Sequence, residues 1–266
     1  MSSNIVRRDG LTLYIAGTCY PQVLDYLRDI NCNKLFTNMT ERKKIDQWVD
    51  YKRKGIVTSK LFVDSGAYSA YTRGMTANVQ SYVDYVNARS DQITICAQMD
   101  TIPGEFGRPR TREDVLKASP KTWDNFLFMR DNIDEPDKCI PIFHQGEDFK
   151  WLQKMLDYID PYTGNHIPYI GISSDKRMCT KDREAFYRRC WEVIHASDNP
   201  EPMTHCFGTT AVASMQKFPF YSCDSTSWLR MATNGSIILP DNNSYLVSNV
   251  SKGKKDHIDS DPLLRE

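Results

Sequence analysis

The chain has 266 residues and carries 34 basic and 34 acidic side chains, so its formal net charge at pH 7 is zero. This balance excludes recognition of nucleic acid by overall charge and requires a local basic patch for any such partner. No apolar run is long enough to span a membrane, and no apolar segment follows the first charged residues as in a secretory signal. These features predict a cytoplasmic protein with no membrane partner.

The eight cysteines are scattered along the chain, most of them in apolar segments, which is typical of reduced, buried thiols. No C-x-x-C pair occurs, and the five histidines show no metal-ligand spacing. One alternative is a metal held by His205 and Cys206 with Cys223 nearby, but adjacent residues of a strand point to opposite faces. The sequence therefore predicts no metal site.

Eight short apolar runs recur along the chain, most of them four to seven residues long and rich in β-branched or aromatic residues. They occupy residues 12–16, 34–37, 60–63, 93–99, 139–143, 169–172, 204–207 and 220–223. Runs of this kind are typical of strands that are buried on both faces of a parallel sheet.

Helical patterns lie between and after these runs. The predicted helices are at 21–30, 41–55, 76–89, 112–133, 147–159, 181–196 and about 209–217, with another after 225. Thr76 is the predicted cap of its helix, and Pro120 is predicted to break the segment 112–133 into two helices.

Strand and helix thus alternate eight times, which predicts an α/β fold, a single-domain (β/α)8 TIM barrel over residues 1–235. A doubly wound open sheet is the competing fold, but no G-x-G-x-x-G motif follows the first strand. Residues 236–266 are predicted to form a short C-terminal extension, with a small closing element and a charged, mobile tail.

In such a barrel, functional residues follow the carboxyl ends of the strands. The candidates at these positions are Asp64, Ser65, Asp100, Gln145, Gly171, Phe207, Gly208 and Asp224, with Tyr68 in the turn after Asp64. A simpler alternative for Asp64 is a turn cap that bonds only to its own backbone. Acids at three strand ends favour a functional site instead.

Three carboxylates without metal-ligand histidines favour glycosyl chemistry. One carboxylate can attack an anomeric carbon while a second protonates the leaving group. The third can accept hydrogen bonds from a planar N–H edge, and Tyr68 and Phe207 can stack on a heterocycle.

Six short motifs resemble, in the same order, those of the tRNA-guanine transglycosylases and their DNA-modifying relatives. They are DSGAY at 64–68, MDTIPG at 99–104, FHQG at 143–146, YIGIS at 169–173, CFGTT at 206–210 and CDSTSWLR at 223–230. Members of this family are (β/α)8 barrels that exchange guanine for a 7-deazaguanine without cutting the strand. The resemblance therefore implies a pentosyltransferase.

The resemblance also implies a role for each matched residue. Asp224 would be the nucleophile on C1′ of the target nucleotide, and Asp64 would be the general acid/base. Asp100 and Gln145 would read the guanine edge. Further base contacts would come from Ser65, Tyr68, Gly171, Phe207 and Gly208, with Tyr68 and Phe207 as the stacking pair.

Two features depart from the tRNA-acting enzymes. Their C-x-C-x-x-C…H zinc site is missing, since no cysteine follows Cys223, and Ser227 stands in place of a proline after the nucleophile. The chain looks more like the zinc-less phage and bacterial branch (DpdA-type) that modifies DNA. The resemblance thus implies DNA and a free, preQ0-like 7-deazaguanine as substrates, no cofactor, and the host cytoplasm for a phage-encoded protein.

Several alternatives stay open at this point. The chain could be a tRNA transglycosylase that lacks the zinc element, or a nucleoside or glycoside hydrolase that uses the same carboxylates. A non-catalytic barrel subunit is disfavoured because all three acids are present. A homodimer is compatible with the sequence but is not indicated by any motif.

Basic residues near the predicted mouth of the barrel are candidate phosphate ligands. They are Arg73 after the Asp64 turn, Arg108, Arg110 and Arg112 in the loop after Asp100, and Arg230 after Asp224. The alternative for the loop cluster is a solvated surface with no partner.

Overall fold

The structure, a computed structural model, describes residues 10–17, 20–175, 178–238 and 244–246. Parallel strands form its centre. They are β1 (Thr12–Ala16), β2 (Lys34–Thr37), β3 (Leu61–Asp64), β4 (Ile95–Ala97), β5 (Cys139–Ile140), β6 (Ile142–His144), β7 (Tyr169–Ser173), β8 (Met203–Phe207) and β9 (Ser222–Ser225). All are short, and most of them consist largely of buried residues, as the apolar runs predict.

These strands form one sheet, in the described residues, with the order β5-β4-β3-β2-β1-β9-β8-β7-β6. The two strands at its ends, β5 and β6, are separated in the chain only by Pro141. Proline has no N–H and interrupts the ladder, but its carbonyl accepts a hydrogen bond from Gly171 N at 2.7 Å. The sheet therefore closes on itself through the predicted strand 139–143, and the prediction of a (β/α)8 barrel is confirmed.

Helices surround the barrel and connect successive strands. In the described residues they are α1 (Pro21–Asp29), α2 (Asn38–Arg53), α3 (Ala67–Thr72), α4 (Val79–Asn87), α5 (Arg112–Asn132), α6 (Lys150–Asp157), α7 (Thr180–Ala196), α8 (Val212–Lys217) and α9 (Ser227–Thr233). Helix α3 was not predicted, because its six residues are too few to show a helical period.

Two local predictions about helices are wrong. Helix α4 is capped by Asn78, whose side chain accepts a hydrogen bond from Ser81 N at 2.8 Å, rather than by Thr76.

Helix α5 continues through Pro120 without a break. Pro120 lies on the exposed side of α5, and so does Leu116, whose carbonyl loses its partner and can bond water instead. The buried face of the helix, with Phe126 at its centre, holds it together.

Alternate residues of each strand point to opposite sides of the barrel wall. One set fills the barrel interior, where Tyr14, Phe62, Ile140 and Tyr169 belong to one apolar cluster. The other set packs against the helices in a larger cluster. Side chains at the carboxyl ends of the inward-facing rows therefore point into the mouth of the barrel.

A two-stranded antiparallel hairpin, β10 (Ser236–Ile238) and β11 (Ser244–Leu246), begins where the C-terminal extension was predicted to start. The predicted charged tail lies outside the described residues. None of the described helices is both long enough and apolar enough to cross a membrane.

A buried ion pair ties α5 to the loop after α6. Arg130 and Asp160 are 2% and 3% exposed, and Arg130 also donates to Asp137 at 3.0 Å. We expect Asp160→Ala to lower the free energy of unfolding by about 3–5 kcal/mol, because it removes the buried partner of a buried guanidinium and leaves only the exposed Asp137 to pair with it. Urea denaturation measures this change.

The matched control is Glu113→Ala, which breaks the exposed ion pair with Lys117 on α5. It should change the stability little, because solvent screens exposed pairs. Equal losses in the two variants would contradict the structural role of the buried pair.

Candidate active site

Three carboxylates meet at the mouth of the barrel. Asp64 is the last residue of β3, Asp100 follows β4, and Asp224 lies in β9. Asp64 and Asp224 come two residues after the inward-facing Phe62 and Ser222, so both side chains point inward. The structure thus brings the three predicted acids together.

Asp64 is the carboxylate with the most perturbed ionisation. Burial raises the pKa of Asp64 to about 7, with further contributions from the negative charges of Asp100 and Asp224. A hydrogen bond from the Gly66 backbone opposes this rise in pKa, as in an Asx-turn. Asp64 therefore caps its turn and also lies in the acidic site. A carboxyl group with a pKa near 7 can both give and take a proton at neutral pH.

The turn after Asp64 depends on Gly66. This residue has a φ of +78°, and a Cβ there would lie 2.8 Å from the side chain of Met39. Only glycine fits both constraints without a shift of helix α2. Ser65 is 2% exposed, and its hydroxyl lies 3.5 Å from Ala67 N, so its side chain belongs to this turn rather than to the open mouth.

Asp224 is held by one of its two carboxylate oxygens. Its Oδ1 accepts a hydrogen bond from Gly208 N at 2.8 Å and lies 3.2 Å from His205 Nε2. The other oxygen, Oδ2, accepts no hydrogen bond from the described part of the chain and is the oxygen that a substrate could meet. Gly208, predicted to contact the base, donates its backbone N–H to Asp224.

A chain of buried polar groups continues from Asp224 into the barrel. His205 Nδ1 contacts Ser222 Oγ, which in turn contacts the hydroxyl of Tyr169. One assignment satisfies every contact: Tyr169 donates to Ser222, Ser222 to His205 Nδ1, and His205 Nε2–H to Asp224. The side chains of His205 and Ser222 are fully buried.

Sequence reasoning considered His205 only as a metal ligand and missed this role. The alternation of side chains along the strands could have indicated it. His205 precedes the inward-facing Phe207 by two residues, and Ser222 precedes Asp224 by two, so both side chains are expected to point into the barrel. Cys206 points the other way and contacts Tyr187, so it cannot join His205 at a metal. Within the described ranges, no group of three or more His, Cys, Asp or Glu is arranged to hold a metal ion.

Asp100 is paired with a histidine that the sequence did not single out. His144 Nε2 lies 3.1 Å from Asp100 Oδ2, and Gln98 Nε2 donates to Oδ1 at 2.9 Å. Burial opposes the charge on His144, but the carboxylates of Asp100 and Glu147 outweigh it and raise the pKa of His144 to about 10. At neutral pH, Asp100 therefore faces an imidazolium, and each of its oxygens keeps a lone pair for a ligand.

The remaining base-binding candidates are placed in different ways. Gln145 Oε1 accepts a hydrogen bond from Asp175 N at 2.9 Å, which leaves its amide N–H groups to donate.

Gly171 is buried beneath Phe207: a Cβ there would lie 2.5 Å from Phe207 Cε2. Phe207 packs edge-on against Phe62 and His205, while Tyr68 is 60% exposed on α3.

The five candidate phosphate ligands divide into two groups. Arg108 forms a two-pronged ion pair with Asp114, with N–O distances of 2.9 and 2.8 Å, and this holds its loop against the start of α5. Arg108 thus has a structural partner, which the sequence did not indicate. The other four are exposed and form no ion pair with the described residues: Arg73, Arg110, Arg112 and Arg230.

A polar pocket of about 320 Å³ lies beside the mouth, where α2 and α4 begin. Asn38, Arg42, Ser81 and Met99 are among the residues that line it, and none of the three carboxylates does. The pocket therefore belongs to the rim of the barrel rather than to its acidic centre.

No protein-family model and no curated protein matches the chain. Among solved structures, the chain is similar to a mandelate racemase/muconate lactonizing enzyme-like protein from Rubrobacter xylanophilus. The match has 14% sequence identity and a TM-score of 0.47 over 90% of this chain, which spans 59% of that protein's length. A likeness this distant assigns no activity.

The raised pKa of Asp64 predicts a pH-dependent cost to stability. Its folded pKa of about 7 exceeds the ordinary value of 3.8 for an aspartate side chain. Ionisation is therefore disfavoured in the folded state, and the contribution of Asp64 to stability should fall as pH rises from about 4 to 7. We expect Asp64→Asn to become progressively more stable than the wild type across this range, by about 2–4 kcal/mol at pH 8.

Urea unfolding at pH 4.5 and pH 8 measures this difference. Asp124→Asn, at an exposed position on α5, makes the same change in charge and is the matched control. A stability difference between Asp64→Asn and wild type that is the same at both pH values would contradict the burial of Asp64 among like charges.

The contact between Gly171 and Phe207 predicts a second, coupled effect. Gly171→Ala should lower the free energy of unfolding by about 1–3 kcal/mol, because the new methyl group overlaps the ring. Phe207→Leu should relieve most of this loss, giving a coupling energy in a double-mutant cycle. Additive effects would show that the ring does not lie over Gly171.

Proposed function

We propose that the protein is a DNA-guanine transglycosylase, which replaces guanine in DNA with a preQ0-like 7-deazaguanine through a covalent glycosyl-enzyme. The observation that carries this proposal is the convergence of three carboxylates in three different environments. One oxygen of Asp224 accepts no hydrogen bond from the described residues, Asp64 has a pKa of about 7, and Asp100 is paired with an imidazolium. Glycosyl transfer needs carboxylates whose environments assign them different tasks.

In the first step, Asp224 Oδ2 attacks C1′ of the target nucleotide. The bond from C1′ to N9 of guanine breaks, and the electron pair of that bond leaves with the base. Protonated Asp64 gives its proton to the departing guanine, so that a neutral base and a glycosyl ester of Asp224 remain.

In the second step, the incoming 7-deazaguanine loses the proton on its N9 to the Asp64 carboxylate. N9 then attacks C1′, and the ester bond to Asp224 breaks, which restores the free carboxylate. Water must be kept from C1′ between the two steps, or the ester would hydrolyse to an abasic site. In duplex DNA the target nucleotide would first have to be flipped out of the stack.

Base recognition would fall to Asp100 and Gln145. Asp100 can accept hydrogen bonds from the N–H edge of guanine, while the free amide N–H groups of Gln145 can donate to its carbonyl oxygen. His144 Nε2 lies 3.1 Å from Asp100 Oδ2 and fixes the orientation of that carboxylate toward a bound base. Both the leaving and the incoming base present this edge.

DNA is preferred to tRNA because residues 224–266 lack the C-x-C-x-x-C motif of the tRNA-acting family. One assay compares the two substrates. The protein is incubated with radiolabelled guanine and either guanine-containing DNA or tRNA, and label in the recovered nucleic acid is counted. Label in DNA alone supports the proposal, label in tRNA alone selects the tRNA enzyme, and release of free base without incorporation indicates a hydrolase.

Single substitutions test the roles of the two acids. Asp224→Asn should abolish incorporation and the covalent adduct seen on a denaturing gel, because a neutral amide is a poor nucleophile. Asp64→Asn should slow incorporation by about 10²–10⁴-fold, the usual contribution of a general acid/base. Asp124→Asn is the control, and an active Asp224→Asn enzyme would refute the nucleophile.

A further inference from the structure

Three aromatic rings, two of them exposed and one half-buried, form a cluster beside the acidic mouth. Tyr68 and Tyr71 lie on α3 with ring centroids 6.3 Å apart, and Phe106 meets Tyr71 edge-on at 5.9 Å. Tyr68 is 60% exposed and Phe106 is 65% exposed. These three residues are called the aromatic rim below. A contiguous set of exposed rings is uncommon on a folded protein and marks a surface that meets a partner.

The aromatic rim borders the site on two sides. Tyr68 and Tyr71 follow Asp64 directly, on the short helix after β3, and Phe106 lies in the loop after Asp100. Tyr162 provides a contrast, because it is 74% exposed in the loop between α6 and β7, at the opposite end of the barrel. Exposed aromatic residues therefore occur elsewhere, but the rim places three together at the mouth.

The charges around the rim indicate the chemistry of its partner. The guanidinium carbon of Arg110 lies 5.9 Å from the centroid of the Tyr71 ring. Arg73, at the end of α3, and Arg112, at the start of α5, are exposed, and in the described ranges none of the three is paired with a carboxylate. Arg108 differs, since Asp114 neutralises it. The rim thus combines open ring faces with unneutralised cations.

We propose that the aromatic rim is a stacking platform for unpaired nucleotides that flank the target nucleotide. Single strands expose base faces that can stack on aromatic rings, while their phosphates attract guanidinium groups; bases inside a duplex are already stacked. This inference rests on the proposed function for the identity of the partner. It adds that the substrate strand is unpaired where it crosses α3 and the loop of Phe106.

The position of the aromatic rim next to the acids also has a physical reason. Flanking bases held on the rim would anchor the strand at one side of the mouth, so that the next nucleotide can enter toward Asp224. Binding energy from these neighbours would then contribute to the unstacking that entry requires.

A guanine-free, fluorescein-labelled single-stranded DNA 12-mer separates binding from base exchange. Fluorescence anisotropy should show Phe106→Ala and Tyr71→Ala binding about 5- to 150-fold more weakly than wild type, the usual effect of losing one stacked base. Phe106→Tyr should restore binding because it keeps the ring face. Tyr162→Ala, the matched control at the far end of the barrel, should bind as wild type does.

Salt dependence tests the cation separately. Arg110→Gln should reduce the slope of log Kd against log salt concentration by about 0.7, the value for one phosphate contact on a single strand. Phe106→Ala should leave that slope unchanged while weakening binding at every salt concentration. The same 12-mer annealed to its complement should bind more weakly than the single strand.

Equal affinity of wild type and both alanine variants for the 12-mer would overturn the platform. So would rim-dependent binding to phosphatidylserine vesicles in place of the 12-mer, which would identify a lipid surface as the partner. The two proposals fail separately: rim-dependent binding without guanine incorporation refutes only the base exchange. Incorporation with unchanged binding by the rim variants refutes only the platform.

Discussion

The constraint on which the site depends is the mutual repulsion of three carboxylates in one partly buried mouth. Each is accommodated in a different way. Asp100 faces the imidazolium of His144, Asp224 is held by Gly208 N and His205, and Asp64 has its pKa raised to about 7. Burial raises the pKa of Asp64 most, and the nearby charges of Asp100 and Asp224 add to that rise. The three carboxylates therefore lie in three different environments.

The closed barrel produces this crowding. Parallel strands that all end at the same rim bring residues 160 positions apart, Asp64 and Asp224, into one space. Below them, the chain of Tyr169, Ser222 and His205 is a polar inclusion in an otherwise apolar interior. Its members satisfy one another, which avoids the free-energy cost of unpaired buried polar groups. The same chain reaches Asp224 through the contact between His205 Nε2 and Oδ1.

Much of this arrangement was predictable from local patterns, and the exceptions have identifiable causes. The eight strands follow from buried runs with turn signals between them, and the acids follow from their positions at strand ends. The continuity of α5 through Pro120 was not predictable, because packing of its buried face outweighs one lost hydrogen bond. The ion pair between Arg108 and Asp114 was not predictable either, because the local sequence around a loop arginine does not show whether a carboxylate packs against it in the folded protein.

The sequence by itself determined the alternation of strands and helices, the barrel that follows from it, and the three acids at the strand ends. These features depend on hydrophobic periodicity and on the order of segments in the chain, and short segments of the sequence are enough to show them. Only the tertiary structure decided which groups surround each acid: His144 beside Asp100, His205 beneath Asp224, and Phe207 over Gly171. Ionisation and free lone pairs depend on neighbours within a few ångströms, and those neighbours come from different strands of the closed barrel.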